Sequence, residues 1–433
     1  MLLLTSLIAS LSCLCHLVAA EQTLHHFHSH RHHDLEARVL NIAQSNGNWL
    51  TLDELTEYTS IDKTVRDAVE ATLEGRQYKW NKRGNMLSVE VHTRYLHISR
   101  NMSSSPRRQL TSSSSSSSTP HRPILLQRHQ RIPQCLSQLY NFANVTNSTR
   151  PDDPSIGILA VSRSPATRGF RQSDLDLFLS RYRPEIHDFK PAAIEINGGK
   201  YSEDSGSGES ALDTQLIAGL TAPTPIRFYV TGDYDKDMFA TTFDYLMEDE
   251  KGPAVFAMAY GLTERTIATK EAAQAMCETA MHLTALGTTL VAASGDNGVN
   301  GATVGPKDCP PFIPTYPNGC PYILSVGATY HFDPEVVPDK KEVGFWGGGG
   351  FSRVFPRPDW QSEAVSSYVN KSALPRENFN AAGRGYPDVA AQGSLHRVIL
   401  DGKDAVGDGT SASVNTLWSP SSIPPASAQA KER

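Results

Sequence analysis

A chain of 433 residues with 39% hydrophobic and 20% charged residues is long enough for one large domain and a smaller one. Its formal net charge of −6 is too close to balance to point to nucleic acid or an anionic membrane as the main partner. No apolar run is long enough to span a bilayer as a helix.

In chain order, residues 1–20 read as a secretory signal. Leu2 to Leu11 is a short apolar run, and Val18-Ala19-Ala20 supplies small residues for cleavage. This predicts a secreted, extracellular protein. Residues 21–101 open on a His-rich leader, His25-His26-Phe27-His28-Ser29-His30 followed by His32-His33. Such a leader could bind metal or sense acid, but without fixed geometry a solvated polar segment is the expected reading. Structure is predicted from Leu50 to Val91: a capped helix start at Thr51 to Leu55, helical spacing over Val65 to Leu73, and a strand over Met86 to Val91. This is a small α/β module. Residues 102–130 hold the serine-rich tract Ser103 to Thr119 with Arg107-Arg108 inside it, a composition that buries no core and reads as a solvated linker. A small module joined by a basic, cleavable linker to a larger domain is the layout of a zymogen.

The larger domain spans 131–413, followed by a tail of disordered composition at 414–433. Gly157 to Val161, Ile226 to Val230, Ala254 to Tyr260 and Thr289 to Ala293 read as buried strands. Gln172 to Tyr182 and Lys270 to Leu286 read as helices. Buried strands alternating with helices predict an α/β fold with a parallel sheet covered on both faces. Active sites in such sheets lie at the carboxyl ends of the strands.

Three stretches carry candidate chemistry. Glu209 and Asp213 are spaced i, i+4 in a helical stretch running to Leu220, which puts two like charges on one helix face. Such a pair shares protons and can act as acid or base in mildly acid medium; two surface carboxylates near a helix N-terminus are the plainer alternative. Asp296 lies between Gly295 and Gly298, where a strand stops. Protonated, it could donate to an oxyanion; otherwise it makes an Asx-turn. Ser411, in Gly409-Thr410-Ser411-Ala412-Ser413, stands between a turn and a helix start, a place suited to a nucleophile. His187, His282, His331 and His396 are the rival bases outside the leader and propeptide, and none sits in a Gly-flanked context. After loss of Cys13 and Cys15 with the signal, Cys135, Cys277, Cys309 and Cys320 lack zinc-type spacing and leave three disulfide connectivities open. Sequons at Asn101, Asn144, Asn147 and Asn370 suit a glycosylated secreted chain.

In their order, the three stretches resemble the motifs of the sedolisins, or serine-carboxyl peptidases, which include tripeptidyl peptidases. Also similar to that family are Arg131 to Leu136, Ala259-Tyr260-Gly261 followed by Glu264, Cys320 to Ile323, Gly347 to Ser352 and Gly385 to Ala390. The resemblance implies a subtilisin-like fold, with Ser411 as nucleophile, Glu209 as its base, Asp213 tuning Glu209, and Asp296 as oxyanion donor. It implies acid activity on peptides or polypeptides, association with the chain's own propeptide, and a monomer. Release of tripeptides from free N-termini is the expected subtype, with an acid endopeptidase, or a non-catalytic truncated remnant binding peptides or a paralogue, as alternatives. Two departures stand out: a shortened propeptide, and an end at Arg433 shortly after Ser411. The family's last strands and calcium-binding segment are therefore expected to be missing, and with them the Ca2+ cofactor and the activity of the chain as written.

Overall fold

The computed structural model describes residues 131–142, 155–162, 168–232, 237–249, 251–267, 269–300, 311–332, 334–372 and 374–417, with scattered positions between 35 and 89. The signal, the His-rich leader, the serine-rich linker, Asn101, Asn144, Asn147, Cys309 and the tail from Trp418 lie outside the described residues.

The chain divides into two compact units, 1–37 with 56–126, and 38–55 with 127–433. In the first, Tyr78–Trp80 pairs antiparallel with Leu87–Val89, inside the strand predicted there. Helical positions at 66–67 and 70–71 fall in the predicted helix, where Arg66 Nε meets Glu70 Oε1 at 3.0 Å, one turn apart.

The second unit is built on a seven-stranded sheet. Its strands are β1 Ile156–Val161, β2 Ala192–Ile196, β3 Ile226–Thr231, β4 Val255–Met258, β5 Thr289–Ala293, β6 Leu324–Thr329 and β7 Val389–Gln392. They lie in the order β7-β6-β5-β4-β1-β3-β2, and every pairing is parallel. All six residues of β1 and all four of β4 are buried, as continuous apolar runs covered on both faces require. The covering helices are α1 Gln172–Tyr182, α2 Gly208–Thr221, α3 Met238–Glu248, α4 Lys270–Ala285 and α5 Thr410–Thr416. This is the helix-flanked parallel sheet predicted from the alternating runs. The chain steps outward from β1 to β2, returns through β3, then crosses to β4 on the other side of β1. The reversal of direction opens a crevice at the carboxyl ends of the central strands.

One core unites these layers. Ile156 and Ile158 of β1, Phe178 of α1, Phe228 of β3, Val291 of β5, Val326 of β6 and Val414 of α5 belong to a single buried cluster. Cys277 of α4 and Cys320 before β6 form a disulfide with Cα atoms 5.6 Å apart, one of the pairings the sequence left open.

Arg384 locks the edge of the sheet. Fully buried, it donates from Nη2 to Asp388 Oδ2 at 2.6 Å and to the Ile323 carbonyl at 3.0 Å, and from Nη1 to the Gly385 carbonyl at 2.8 Å. Asp388 Oδ2 also accepts from the Ser325 amide at 2.8 Å, so this network fixes the start of β7 against β6. Removing one partner of a buried, hydrogen-bonded ion pair strands the other charge. Arg384→Leu is therefore expected to destabilise the fold by about 3–5 kcal/mol, read as a lowered thermal midpoint. A midpoint within a degree of the parent would show that the pair contributes nothing.

Candidate active site

The site begins at the N-terminus of α2. Ser207 caps the helix by accepting from the Ser210 amide at 3.1 Å, and the first turn then carries Glu209. From Ser210 to Thr221 every residue is buried. A helix apolar nearly all round belongs in a core, and this one lies among α1, α5 and the hairpin of His396–Leu400 with Lys403–Gly407. Gln215 fixes its depth in the core. Its amide donates to the Ile399 carbonyl at 2.8 Å and accepts from the Ile399 amide at 2.7 Å.

The i, i+4 pair is therefore no surface pair. Asp213 is 1% exposed, and Glu209 Oε1 is enclosed with no hydrogen-bond partner. Burial pushes both carboxyls up; the Asp296 charge adds to the rise at Glu209, and the Glu209 charge adds to it at Asp213. The Ser411 hydroxyl and Arg168 oppose the rise at Glu209. Tyr260, in the loop after β4, faces both carboxyls. Its phenol is held well above the ordinary range by burial and then by those two charges.

Ser411 stands in the first turn of α5, half-buried, and its hydroxyl donates to the Ala259 carbonyl at 3.3 Å. β4 ends at Met258, so this acceptor lies just past the strand. Gly409 enters the helix with φ 116°, a conformation L side chains rarely adopt. A Cβ there would also lie 2.8 Å from Asp296 Oδ2.

Asp296 follows β5. Its Oδ1 accepts from the Thr410 amide at 2.8 Å and from the Thr410 hydroxyl at 2.9 Å, so it grips the turn before Ser411. The Thr410 hydroxyl in turn accepts from the Gly295 amide at 3.0 Å. Burial raises the Asp296 carboxyl, and the two bonds from Thr410 oppose the rise.

All four predicted residues thus meet in one crevice, drawn from α2, the end of β5 and the start of α5. No described histidine is hydrogen-bonded to Ser411. His396 is fully buried, with Nε2 3.0 Å from the Gln392 carbonyl, and burial depresses its pKa to about 4. His331 faces Glu342 at 3.9 Å on the surface.

Sequence reasoning misses two partners. Thr410 reads only as part of a turn. Asn415 reads as the start of a tail, yet its amide donates to Asp213 Oδ1 at 2.5 Å and to the Ser411 carbonyl at 2.8 Å. Its i, i+4 spacing from Ser411 is the available signal.

A tripeptidyl-peptidase of Arthroderma otae is 32% identical over 305 residues, covering 65% of this chain and 49% of its own. Its homologues are fungal tripeptidyl-peptidases. Besides that relative, a tripeptidyl-peptidase of Aspergillus fumigatus is 28% identical over 309 residues, covering 65% of this chain and 50% of its own. Aorsin of Aspergillus oryzae is 28% identical over 422 residues, covering 75% of this chain and 62% of its own. This homologue spans about half the length of the tripeptidyl-peptidases it matches. No family model matches the chain. Among solved structures, a Pseudomonas sedolisin (serine-carboxyl proteinase) complexed with two molecules of pseudo-iodotyrostatin aligns over 64% of this chain and 78% of that one, at TM-score 0.48 and 21% identity. No group of three or more His, Cys, Asp or Glu among the described residues is arranged to hold a metal ion. Among the described residues no helix is long and apolar enough to cross a membrane.

Proposed function

We propose that this protein is a secreted serine-carboxyl peptidase, made as a zymogen, that works in acid and releases tripeptides from the free N-termini of polypeptides. One observation carries the reading: the turn and helix that carry Ser411 are held to the buried acid pair on one side, through Asn415 on Asp213, and to Asp296 on the other, through Thr410.

The chemistry follows from the protons. Burial raises both carboxyls, Glu209 to about 7, and the Glu209 charge raises Asp213 further, so one of the pair keeps its proton after the other ionises. When Asp213 holds it, Glu209 is ionised and takes the Ser411 proton as Oγ attacks the scissile carbonyl. The negative charge forming on the carbonyl oxygen needs a donor. Asp296 Oδ1 is occupied by Thr410, which leaves Oδ2 for the proton it would donate, in space that Gly409 keeps open. Protonated Glu209 then passes its proton to the leaving amine as the C–N bond breaks, giving an acyl-enzyme at Ser411. Water activated by Glu209 hydrolyses the ester and restores the serine.

The tripeptidyl assignment rests on the names of the matched relatives. The test is to label the protein, after acid treatment, with a fluorophosphonate, and to compare polypeptides with free and acetylated N-termini. Labelling at Ser411 in acid and tripeptide release from free termini alone are expected. Cleavage of acetylated polypeptides at internal bonds would replace the assignment with an endopeptidase. Absence of labelling at any pH would remove the nucleophile.

A further inference from the structure

Asn415 is fully buried, one helical turn after Ser411. Its side-chain NH2 has two hydrogens, and each reaches a different part of the site: Asp213 Oδ1 at 2.5 Å and the Ser411 carbonyl at 2.8 Å. We propose that Asn415 is a positioning residue: its single amide holds the Asp213 carboxylate and the Ser411 backbone together, keeping the nucleophile's helix in register with the Glu209–Asp213 pair.

The need for such a link follows from the packing. Beside this amide, α2 and α5 touch through Leu212, Leu216 and Ala412, an apolar cluster that also includes Val398. Apolar contact is non-directional, so it holds the helices together without setting how far one slides along the other. A catalytic group must stay within about half an ångström of its productive position. A hydrogen bond between a buried amide and a buried carboxylate is directional and short, and supplies that constraint. The Asn415 carbonyl oxygen is buried without a partner. Accepting that unmet acceptor costs stability, which suits an amide kept for what its NH2 does.

The same contact bears on protons. Asp213 faces Glu209 from its own helix, Tyr260 from the loop after β4, and Asn415 from α5. Arg168 and Asp296 act on the pair through Glu209. Burial and Glu209 raise the Asp213 carboxyl, while Asn415 favours its ionised form. Loss of the amide therefore moves Asp213 further up, so the pair ionises at higher pH.

The activity arm rests on the peptidase reading; the stability arm does not. In the full chain, Asn415→Leu is expected to lower kcat about 3- to 10-fold, the loss of one hydrogen bond, with KM nearly unchanged and the acid limb of the pH profile displaced upward. Asn415→Asp should recover activity at the acid end, where its carboxyl is protonated and donates, and lose it as pH rises. The second arm measures urea unfolding of Asn415→Leu with and without Asp213→Asn across the same pH range. The cost of Asn415→Leu should grow with pH while Asp213 is present, because only the ionised carboxyl uses the amide fully. In the double variant a neutral amide replaces that carboxyl, and the cost should become pH-independent. A pH-independent cost in both backgrounds would overturn the proposal, as would Leu and Asp variants sharing one pH profile. If no variant turns over substrate, the peptidase reading falls, while the unfolding cycle still decides the role of Asn415.

Discussion

Replacing Ser411 by Ala is expected to abolish turnover, with kcat falling about 10⁴- to 10⁶-fold, and Glu209→Ala is expected to fall in the same range. The two losses should not add, because a nucleophile and its base act as one unit: without the hydroxyl there is no proton to take, and without the carboxylate the hydroxyl is a poor nucleophile. The structure gives both halves of that unit. The Ser411 hydroxyl favours the ionised form of Glu209, and Oε1 of Glu209 has no hydrogen-bond partner competing for it. Removing Glu209 also relieves Asp213 of its neighbouring charge, so a surviving activity in Glu209→Ala would show a different base at work. The measurement is kcat and KM for both single variants and the double, with thermal midpoints to confirm that each is folded. A double variant clearly worse than either single would break the unit apart.

Asp296 is the second large effect, and its sign can be worked out. A carboxyl donates to an oxyanion only while protonated, so its contribution is present below its folded pKa and is lost as pH rises through it. Burial raises that pKa above the ordinary carboxylate range of about 4, which widens the active range upward but keeps it acid. Asp296→Ala is expected to cost about 10²- to 10³-fold in kcat, the usual effect of deleting one oxyanion donor. It also removes both acceptors of the Thr410 amide and hydroxyl, so the turn before Ser411 should loosen. Asp296→Asn separates these roles. Its carbonyl oxygen still accepts from Thr410, and its NH2 donates at every pH, so much of the activity should survive and the alkaline limb should move up. Profiles of kcat/KM against pH for the parent and the two variants decide it. An alkaline limb unchanged in Asp296→Asn would assign that limb to another group and remove Asp296 as the titrating donor.

How much of this was legible in the chain depends on range. Gln172–Tyr182 and Thr289–Ala293 have the bounds predicted for them, because local periodicity and apolar runs report local structure. The apolar run at Ala254 to Tyr260 is strand only over Val255–Met258, and the Ala259 carbonyl just past it accepts from Ser411, 152 residues away. Asp296 shows the same limit. Between glycines, an Asx-turn was the ordinary expectation, yet its side chain bonds to Thr410, a partner supplied by the fold.

By itself, then, the sequence determined four strands of the sheet, β1, β3, β4 and β5, the helices α1, α2 and α4, and the residue types at Glu209, Asp213, Asp296 and Ser411. These follow from composition and spacing within a few turns of chain. The tertiary structure decided that α2 is buried from Ser210 onward, and so that Glu209 and Asp213 are two enclosed carboxyls pushed up by burial instead of two solvated charges. It also chose the Cys277–Cys320 disulfide and brought Asn415 onto Asp213. The physical reason is that a carboxylate's pKa and a side chain's partner are set by desolvation and by groups distant in sequence, and local pattern records neither.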